Sequence, residues 1–313
     1  MAGMRRMRLF DCLLRVRDEP EPAPSGRLAA PPLVCIHGAG MSSVVFMDLL
    51  RRFAPGRRVI APDLPGHGQS QRRPMAATLD GYRDTVRALC DALSLPRIVL
   101  VGHSLGSAIA LSLALMDPAR VSGLVLLNGC AQLGVPDEIA ALVQRSLPSV
   151  EPRAMASVGD VAADALPDGF PEVFIDRMPD AFADLVFSPA TPKELRQRFQ
   201  AMLWSADAAT LLADFAVCRD LDLRPQLERA ALGIPTLCIA GRDDLLVPVS
   251  RVSETAARIP GAELHILDRS AHLSHVEQAA AVFAILDTWL RERVASRKVQ
   301  GNSELAVARH GSG

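Results

Sequence analysis

Residues 97–106 read Arg-Ile-Val-Leu-Val-Gly-His-Ser-Leu-Gly, an apolar run that ends in a serine flanked by two glycines. The run is typical of a buried β-strand, and the small and apolar residues at 107–114 are typical of a helix. The turn between them is too tight for side chains two positions before and after the serine, which explains Gly102 and Gly106. Ser104 is therefore predicted to be a nucleophile on a sharp strand-to-helix turn, where helix N-terminal amides stabilise negative charge.

Length and composition are those of a globular protein with a large core. The chain has 313 residues, 49% hydrophobic and 22% charged, and a formal net charge of −1. This charge argues against non-specific nucleic-acid binding, which needs a surplus of Lys and Arg. No apolar run is long enough to cross a membrane, and the basic N-terminus lacks the apolar core of a signal peptide. Six cysteines without paired spacing predict free thiols in a reducing cytoplasm, with neither disulfides nor zinc.

Strands alternate with helices in two separate parts of the chain, 1–128 and 221–294, which we predict to form one core. The apolar runs are continuous, as expected of strands buried on both faces, and the alternation implies right-handed crossovers. We therefore predict an α/β fold with a doubly wound, mostly parallel sheet. The predicted strands are 8–17, 32–36, 58–61, 97–101, 121–127, 235–240 and 263–267, and the predicted helices are 45–53, 79–93, 104–116, 249–259 and 276–294.

The alternation is interrupted over residues 129–220, which we predict to be a helical cap inserted over the sheet. This segment is broken by eight prolines and holds six of the ten phenylalanines, together with Trp204. The aromatic side chains either form the core of the cap or line an apolar cleft between the cap and the sheet. The polar residues 295–313 are predicted to be a disordered tail.

A serine nucleophile needs a base, and the base needs a carboxylate that fixes its tautomer. His272 follows the last predicted strand, at the carboxyl edge of the sheet where α/β proteins bind ligands, and we prefer it to His275, which lies nearer the final helix. Asp243 and Asp244 follow the preceding strand, and two adjacent residues cannot both contact the histidine. The chain order Ser, Asp, His is that of hydrolases with a nucleophile elbow. Because a base histidine must be unprotonated, activity is expected to fall on the acid side of neutrality.

Attack on an acyl carbon also needs hydrogen-bond donors for the developing oxyanion. The main-chain amide of Leu105, directly after the serine, is one predicted donor. The second is the amide of Ala39, in the glycine-containing loop His37-Gly-Ala-Gly40 that follows the predicted strand at 32–36. Glycines in this loop allow its backbone to approach a ligand closely.

Together these motifs resemble the α/β-hydrolase family. The resemblance covers about residues 33–130 and 235–290, which is the whole predicted core, and leaves the cap poorly constrained. In the family's loop Gly-x-x-Asp-x-x-x-Pro the acid is the fourth residue, which is Asp244 here. The matching pieces are His37-Gly-Ala-Gly40, Asp63-Leu-Pro-Gly-His-Gly-Gln-Ser70, Gly102-His-Ser-Leu-Gly106, Gly241-Arg-Asp-Asp-Leu-Leu-Val-Pro248 and Ala271-His-Leu-Ser-His-Val-Glu277.

The chain departs from the family pattern in two places. Ala271 precedes the histidine where the family usually has glycine, and Phe46 stands where tryptophan is more usual. The first change leaves the triad assignment intact, and the second alters the shape of the pocket rather than the chemistry. Asp63 and His67 belong to a turn of the family whose polar residues are structural rather than catalytic.

The resemblance implies a serine hydrolase that uses no cofactor or metal. Ser104 attacks an acyl carbon, and water activated through His272 hydrolyses the resulting acyl-enzyme. The favoured substrate is a carboxylic ester with a small to medium, mainly apolar acyl group, and Phe46, His37 and Trp204 are its predicted contacts. The alternatives are a C–C bond hydrolase of the meta-cleavage type and a low-turnover ligand-binding member of the fold, while thioester, lactone and amide substrates stay open.

The predicted cap helix at 192–204 carries the cations Lys193, Arg196 and Arg198. A charged helix face is usually solvated, and this is the reading we favour. The alternative is that one of the three binds a carboxylate of the substrate.

Overall fold

A computed structural model describes residues 3–10, 12–19, 30–71, 77–135, 141, 180–203 and 208–295. Its framework is one eight-stranded sheet. The strands are β1 (Gly3–Leu9), β2 (Cys12–Glu19), β3 (Leu33–Ile36), β4 (Val59–Pro62), β5 (Ile98–His103), β6 (Val121–Leu127), β7 (Thr236–Gly241) and β8 (Glu263–Leu267). Their order in the sheet is β1-β2-β4-β3-β5-β6-β7-β8.

Helices connect the strands from β3 onward. They are α1 (Met47–Phe53), α2 (Leu79–Ala92), α3 (Leu105–Met116), α4 (Asp180–Val186), α5 (Lys193–Leu203), α6 (Ala208–Asp220), α7 (Arg224–Ala230), α8 (Val249–Ala257), α9 (Ser274–Glu277) and α10 (Ala279–Trp289). A short 3₁₀ turn, Ser43–Phe46, precedes α1, and a π-helical turn, Leu290–Ala295, follows α10. None of the helices within the described ranges is long and apolar enough to cross a membrane.

The sheet is parallel from β4 across to β8, and β2 pairs antiparallel with both β1 and β4. Alternate residues of β3 belong to hydrophobic cores on opposite faces of the sheet. Val34 and Ile36 pack in a core with α2, α3 and α8. Leu33 and Cys35 pack in a second core with α1 and α10. Helices on both faces confirm the predicted doubly wound, mostly parallel α/β fold.

The first predicted strand, 8–17, is divided between two strands in the structure, because the chain forms a hairpin there. β1 and β2 pair antiparallel from Gly3 opposite Asp18 to Leu9 opposite Cys12, and Phe10 takes a positive φ of 54° in the turn. β1 lies at the edge of the sheet with its arginines exposed, so it lacks the apolar run that marks a buried strand. The other predicted strands lie within two residues of the observed ones.

The predicted final helix, 276–294, is interrupted near its start. The structure has the single turn α9, then Gln278 with φ of −126°, and then α10. Ser274 and the rest of α9 therefore stay on the loop that carries His272, separate from the long helix. This break matters because it lets residues of α9 contact that loop from the side.

Among the described residues, helices α4, α5 and α6 lie in the part predicted to be a cap, and α7 follows them before β7. Residues 180–203 and 208–220, which are described parts of the predicted cap, are termed the cap segment. Residues 136–140, 142–179 and 204–207 fall outside the described residues, and so do 296–313. Trp204 and the predicted tail are therefore not described. The cap boundaries at 129 and 220 stay a prediction.

The turn between β5 and α3 depends on its two glycines. A Cβ atom on Gly106 would lie against the carbonyl oxygens of Ile36 and His37, and one on Gly102 would lie against the carbonyl of Gly106. These neighbours are backbone atoms of buried elements, and they cannot move without shifting β3 or α3.

Gly106→Ala is therefore expected to lower the free energy of unfolding by about 3 kcal/mol, the size of effect that overpacking a tight core produces. Gly56→Ala is the matched control, because the nearest atom to its added Cβ is the Phe53 carbonyl oxygen at 3.8 Å. Urea unfolding of both variants measures the difference. Equal stability losses in the two variants would show that the turn has room for a side chain.

Candidate active site

Ser104 lies on strained backbone at the carboxyl end of β5. Its φ is 53° and its ψ is −120°, a region that non-glycine residues rarely adopt and that functional sites often retain. The strain is held by hydrogen bonds on both sides: the N–H of Ser104 donates to Leu127 at 3.0 Å, and its carbonyl accepts from Ser107 at 2.9 Å. The residue is half-buried. This is the sharp strand-to-helix turn that the glycine spacing predicts.

Asp244 and His272 are in direct contact. The Nδ1 atom of His272 is 2.9 Å from Oδ2 of Asp244 and 3.2 Å from its Oδ1, and both residues are buried. The main-chain N–H groups of Leu246 and Val247 both donate to Oδ1 at 2.9 Å, which fixes the carboxylate. An ionised carboxylate only accepts hydrogen bonds, so Nδ1 carries the proton. Nε2 is left with the lone pair that a general base needs.

Asn128 connects the acid to the histidine loop. Its Nδ2 atom donates to Oδ2 of Asp244 at 3.0 Å and to the carbonyl of Ala271 at 2.8 Å, and its Oδ1 accepts from the N–H of Ser274 at 3.3 Å. Its φ of 47° is one that asparagine tolerates better than most residues. This role of Asn128 as a connector was not predicted from the sequence.

The neighbouring aspartate, Asp243, contacts the cap segment instead of the histidine. Its Oδ2 accepts the hydroxyl of Ser188 at 2.6 Å, in the turn that follows α4. The N–H of His272 donates to the carbonyl of Val186, the last residue of α4, at 3.0 Å. The two adjacent aspartates thus divide their contacts, because Asp244 contacts the histidine and Asp243 contacts the cap segment.

Glu277 links the turn that follows α4 to the loop that carries His272. Its Oε1 accepts from the N–H of Ser188 at 2.7 Å and from the hydroxyl of Thr191 at 2.5 Å. Its Oε2 accepts from the N–H of Ala271 at 2.7 Å, directly before His272. One carboxylate therefore holds both the cap segment and the loop that carries the histidine.

Two further histidines pack beside His272. His103 donates from Nε2 to the carbonyl of His272 at 2.8 Å, and its ring lies 4.9 Å from that of His272 and 4.8 Å from that of His275. His275 stacks on Phe46 at 5.3 Å. Burial, followed by the repulsion that a protonated neighbouring histidine would exert, lowers the pKa of His275 to about 3 and the pKa of His103 well below its ordinary value. Neither side chain is placed to replace His272 as a base.

The loop at 37–40 passes directly beside Ser104. A Cβ atom on Gly38 would lie 3.0 Å from Cβ of Ser104 and 3.0 Å from Nδ1 of His103, so only glycine lets the loop come this close. Ala39, the next residue, is half-buried, and Leu105 is buried at the first turn of α3. The two amides predicted to bind an oxyanion therefore belong to segments on either side of the serine.

His37 and Phe46, two of the predicted substrate contacts, lie in the interior of the protein. Both side chains are 0% exposed. The Nδ1 atom of His37 donates to the carbonyl of Gly38 at 2.8 Å, and its Nε2 accepts from the N–H of Leu64 at 2.9 Å. Burial lowers the pKa of His37 to about 4. Both nitrogens of the neutral ring are thus occupied by main-chain hydrogen bonds, one within its own loop and one to Leu64.

The three cations of α5 differ in their surroundings. Arg196 pairs with Asp184 at 2.9 Å and donates to the carbonyl of Ser188 at 2.9 Å, so its contacts lie within the cap segment. Lys193 and Arg198 are exposed. Among the residues with a described placement, no three His, Cys, Asp or Glu side chains form a group that could bind a metal ion.

A strained serine, a buried Asp–His pair and a glycine loop lie at the same edge of the sheet. Residues 31–279 match the family model of the alpha/beta hydrolase fold, and the chain belongs to this family. A hydrolase of known structure from Pseudomonas aeruginosa is 30% identical, with a TM-score of 0.72 over 92% of this chain and 98% of that one.

Two characterised relatives have different activities. Pimeloyl-[acyl-carrier protein] methyl ester esterase of Vibrio campbellii is 30% identical over 244 residues, which are 77% of this chain and 87% of the esterase. The 2-hydroxymuconate semialdehyde hydrolase of a Pseudomonas strain is 29% identical over 272 residues, which are 83% of this chain and 87% of that hydrolase. The chain is an alpha/beta hydrolase by its family match.

Proposed function

We propose that this protein is a serine esterase that cleaves carboxylic esters with small to medium, mainly apolar acyl groups. The observation that carries the proposal is the buried contact of 2.9 Å between His272 Nδ1 and Asp244, at the same sheet edge as the strained Ser104. This contact leaves Nε2 of His272 free of a proton. A serine on an elbow becomes a nucleophile only when such a base is next to it.

In the first half of the proposed reaction, Ser104 Oγ attacks the ester carbonyl and His272 Nε2 takes the hydroxyl proton. The carbonyl oxygen becomes an oxyanion, which accepts hydrogen bonds from the amides of Ala39 and Leu105. The tetrahedral intermediate then collapses, and the C–O bond to the alcohol breaks. His272 gives its proton to the leaving alkoxide, and the acyl group stays on Ser104. Asp244 stabilises the imidazolium that exists between these two transfers.

In the second half, a water molecule replaces the alcohol. His272 takes a proton from the water as its oxygen attacks the acyl-enzyme, and the same two amides donate hydrogen bonds to the second oxyanion. Collapse of this intermediate returns the proton to Ser104 Oγ and releases the carboxylic acid. The cycle uses no cofactor and no metal ion.

Relatives support an ester substrate but leave a second candidate. The Vibrio campbellii relative is named as a methyl ester esterase, and this favours an ester. The second candidate is hydrolysis of a C–C bond in a meta-cleavage product, which the 29% identical semialdehyde hydrolase favours. Such dienoate substrates carry a carboxylate, which one of the three cations of α5 would have to bind. Arg196 is one of these cations, and it is already paired with Asp184 at 2.9 Å. We therefore place the ester first.

Turnover of p-nitrophenyl esters from acetate to laurate, beside a meta-cleavage dienoate, tests the proposal. We expect many turnovers per chain on the esters, with an optimum at a short or medium acyl chain. Rapid cleavage of the dienoate without ester turnover would favour the C–C hydrolase. Release of a single equivalent of p-nitrophenol followed by arrest would favour a low-turnover ligand-binding protein.

A further inference from the structure

Asp214, in α6 of the cap segment, reaches into the core next to the loop at 37–40. Its side chain is 0% exposed and accepts three hydrogen bonds. Oδ2 accepts from the N–H of Gly40 at 2.9 Å and from Nε2 of His67 at 2.7 Å, and Oδ1 accepts from the hydroxyl of Tyr82 at 2.6 Å. Three segments of the core thus meet on one carboxylate from the cap segment.

The hydrogen-bond partners of His67 show that it forms an ion pair with Asp214. Nδ1 of His67 faces the carbonyl of Pro65 at 3.1 Å, and Nε2 faces the carboxylate of Asp214 at 2.7 Å. Both partners only accept hydrogen bonds, so both ring nitrogens carry protons and the ring is an imidazolium. Burial lowers the pKa of His67, but the charge of Asp214 and its hydrogen bond outweigh burial and raise the pKa above its ordinary value. Burial raises the pKa of Asp214, and the charge of His67 more than offsets this and lowers it.

The hydrogen bond to Gly40 fixes the loop that carries the predicted oxyanion donor. Gly40 has a φ of 66° and follows Ala39 directly, while the carbonyl of Gly38 accepts from the N–H of Met41 at 3.3 Å. Within the loop, this weak turn and the hydrogen bond from His37 Nδ1 to the carbonyl of Gly38 are the internal supports, and the carboxylate of Asp214 is the charged acceptor that holds Gly40. A loop held at Gly40 cannot rotate the peptide planes on either side of Ala39 freely.

We propose that Asp214 is a positioning residue, which holds the Gly40 amide from the cap segment and thereby keeps the Ala39 amide directed at the oxyanion. This inference rests on the proposed acyl-transfer reaction. It makes oxyanion stabilisation depend on a residue outside the core. A contact from the cap segment would then affect the rate of the chemical step.

Asp214→Leu tests the proposal, because leucine nearly keeps the volume and offers no acceptor. We expect kcat for the best p-nitrophenyl ester to fall about 10- to 100-fold, while KM changes less than about threefold, since an oxyanion donor acts in the transition state. Asp214→Asn is the conservative variant. Its amide oxygen in the Oδ2 position still accepts from Gly40, so kcat is expected within about threefold of the wild-type value.

Tyr82→Phe is the matched control. It removes a hydrogen bond to the same carboxylate and leaves the Gly40 bond in place. A role limited to docking the cap would lower the melting temperature of both Asp214→Leu and Tyr82→Phe, raise KM in both and leave kcat unchanged. The positioning role predicts a loss of kcat in Asp214→Leu alone, with recovery in Asp214→Asn. Any other distribution of the kcat losses would overturn the proposal.

Two measurements keep the test decisive if Asp214→Leu does not fold or if no ester is turned over. Hydrogen exchange of the Gly40 amide in the wild-type protein is expected to be slow, and exchange at the rate of a free loop amide would refute the hydrogen bond. The rate at which a fluorophosphonate labels Ser104 also depends on the oxyanion donors but requires no knowledge of the substrate. If the wild-type protein is labelled but hydrolyses no ester, the proposed ester substrate is wrong. The labelling rates of the Asp214 variants still test the positioning role in that case.

Discussion

Ser104→Ala is expected to lower the kcat of ester hydrolysis by about 10⁴- to 10⁶-fold, to the residual rate that oxyanion donors and binding alone support. The loss is this large because the acyl-enzyme cannot form without the hydroxyl, and His272 and Asp244 have no other nucleophile to activate. Steady-state hydrolysis of a p-nitrophenyl ester measures it. A fluorophosphonate should add its mass to the wild-type chain and not to the variant.

Ser112→Ala is the control, since Ser112 is buried on the same helix α3 and does not lie on the elbow. It should label normally and keep its activity within about threefold, because removing a small hydroxyl away from the site changes little beyond local packing. Activity above about 1% of the wild-type value in Ser104→Ala, with no contaminating esterase, would remove Ser104 as the nucleophile.

The central strands could be read from the sequence because they are buried on both faces. β5 and β6 consist mostly of apolar residues, and every residue in them is buried. β1 could not be read in this way. It is an edge strand whose position depends on pairing with β2, and its exposed arginines give no apolar signal. The helix break at Gln278 was also unreadable, because it is set by the contacts of α9 with the histidine loop.

The parts of the site that are local in sequence were predictable, and the parts that join distant segments were not. Ser104 was found from its two flanking glycines, and the contact between Asp244 and His272 follows from two loops at one sheet edge. The Asn128 bond to Asp244 joins residues 116 positions apart, and the Asp214 bond to Gly40 spans 174 positions. No pattern in the sequence links such pairs. The burial of His37 was missed for the same reason, since its partner, Leu64, is 27 residues away.

Asp244→Asn is expected to lower kcat by about 10⁴-fold while leaving the fold intact, as the corresponding change does in serine proteases. The hydrogen bonds around the carboxylate explain this loss of kcat. Oδ1 accepts from the N–H groups of Leu246 and Val247, both at 2.9 Å, so the amide oxygen of asparagine must take that position. The NH₂ group then takes the position of Oδ2, facing Nδ1 of His272 and the Nδ2 donor of Asn128. Two donors cannot share a hydrogen bond, so His272 moves its proton to Nε2 and loses the lone pair of the base.

Asp243→Asn is the matched control, because it makes the same chemical change one residue earlier. Asp243 contacts Ser188 at 2.6 Å and not the histidine, so its variant should keep kcat within about threefold. Steady-state kinetics of both variants between pH 6 and 9, with circular dichroism to show that both fold, distinguish the two aspartates. If Asp243→Asn lost activity and Asp244→Asn kept it, the acid would be misassigned, and Asp244 would not be what keeps the proton on Nδ1 of His272. Equal small losses in both would mean that no carboxylate orients the histidine during catalysis.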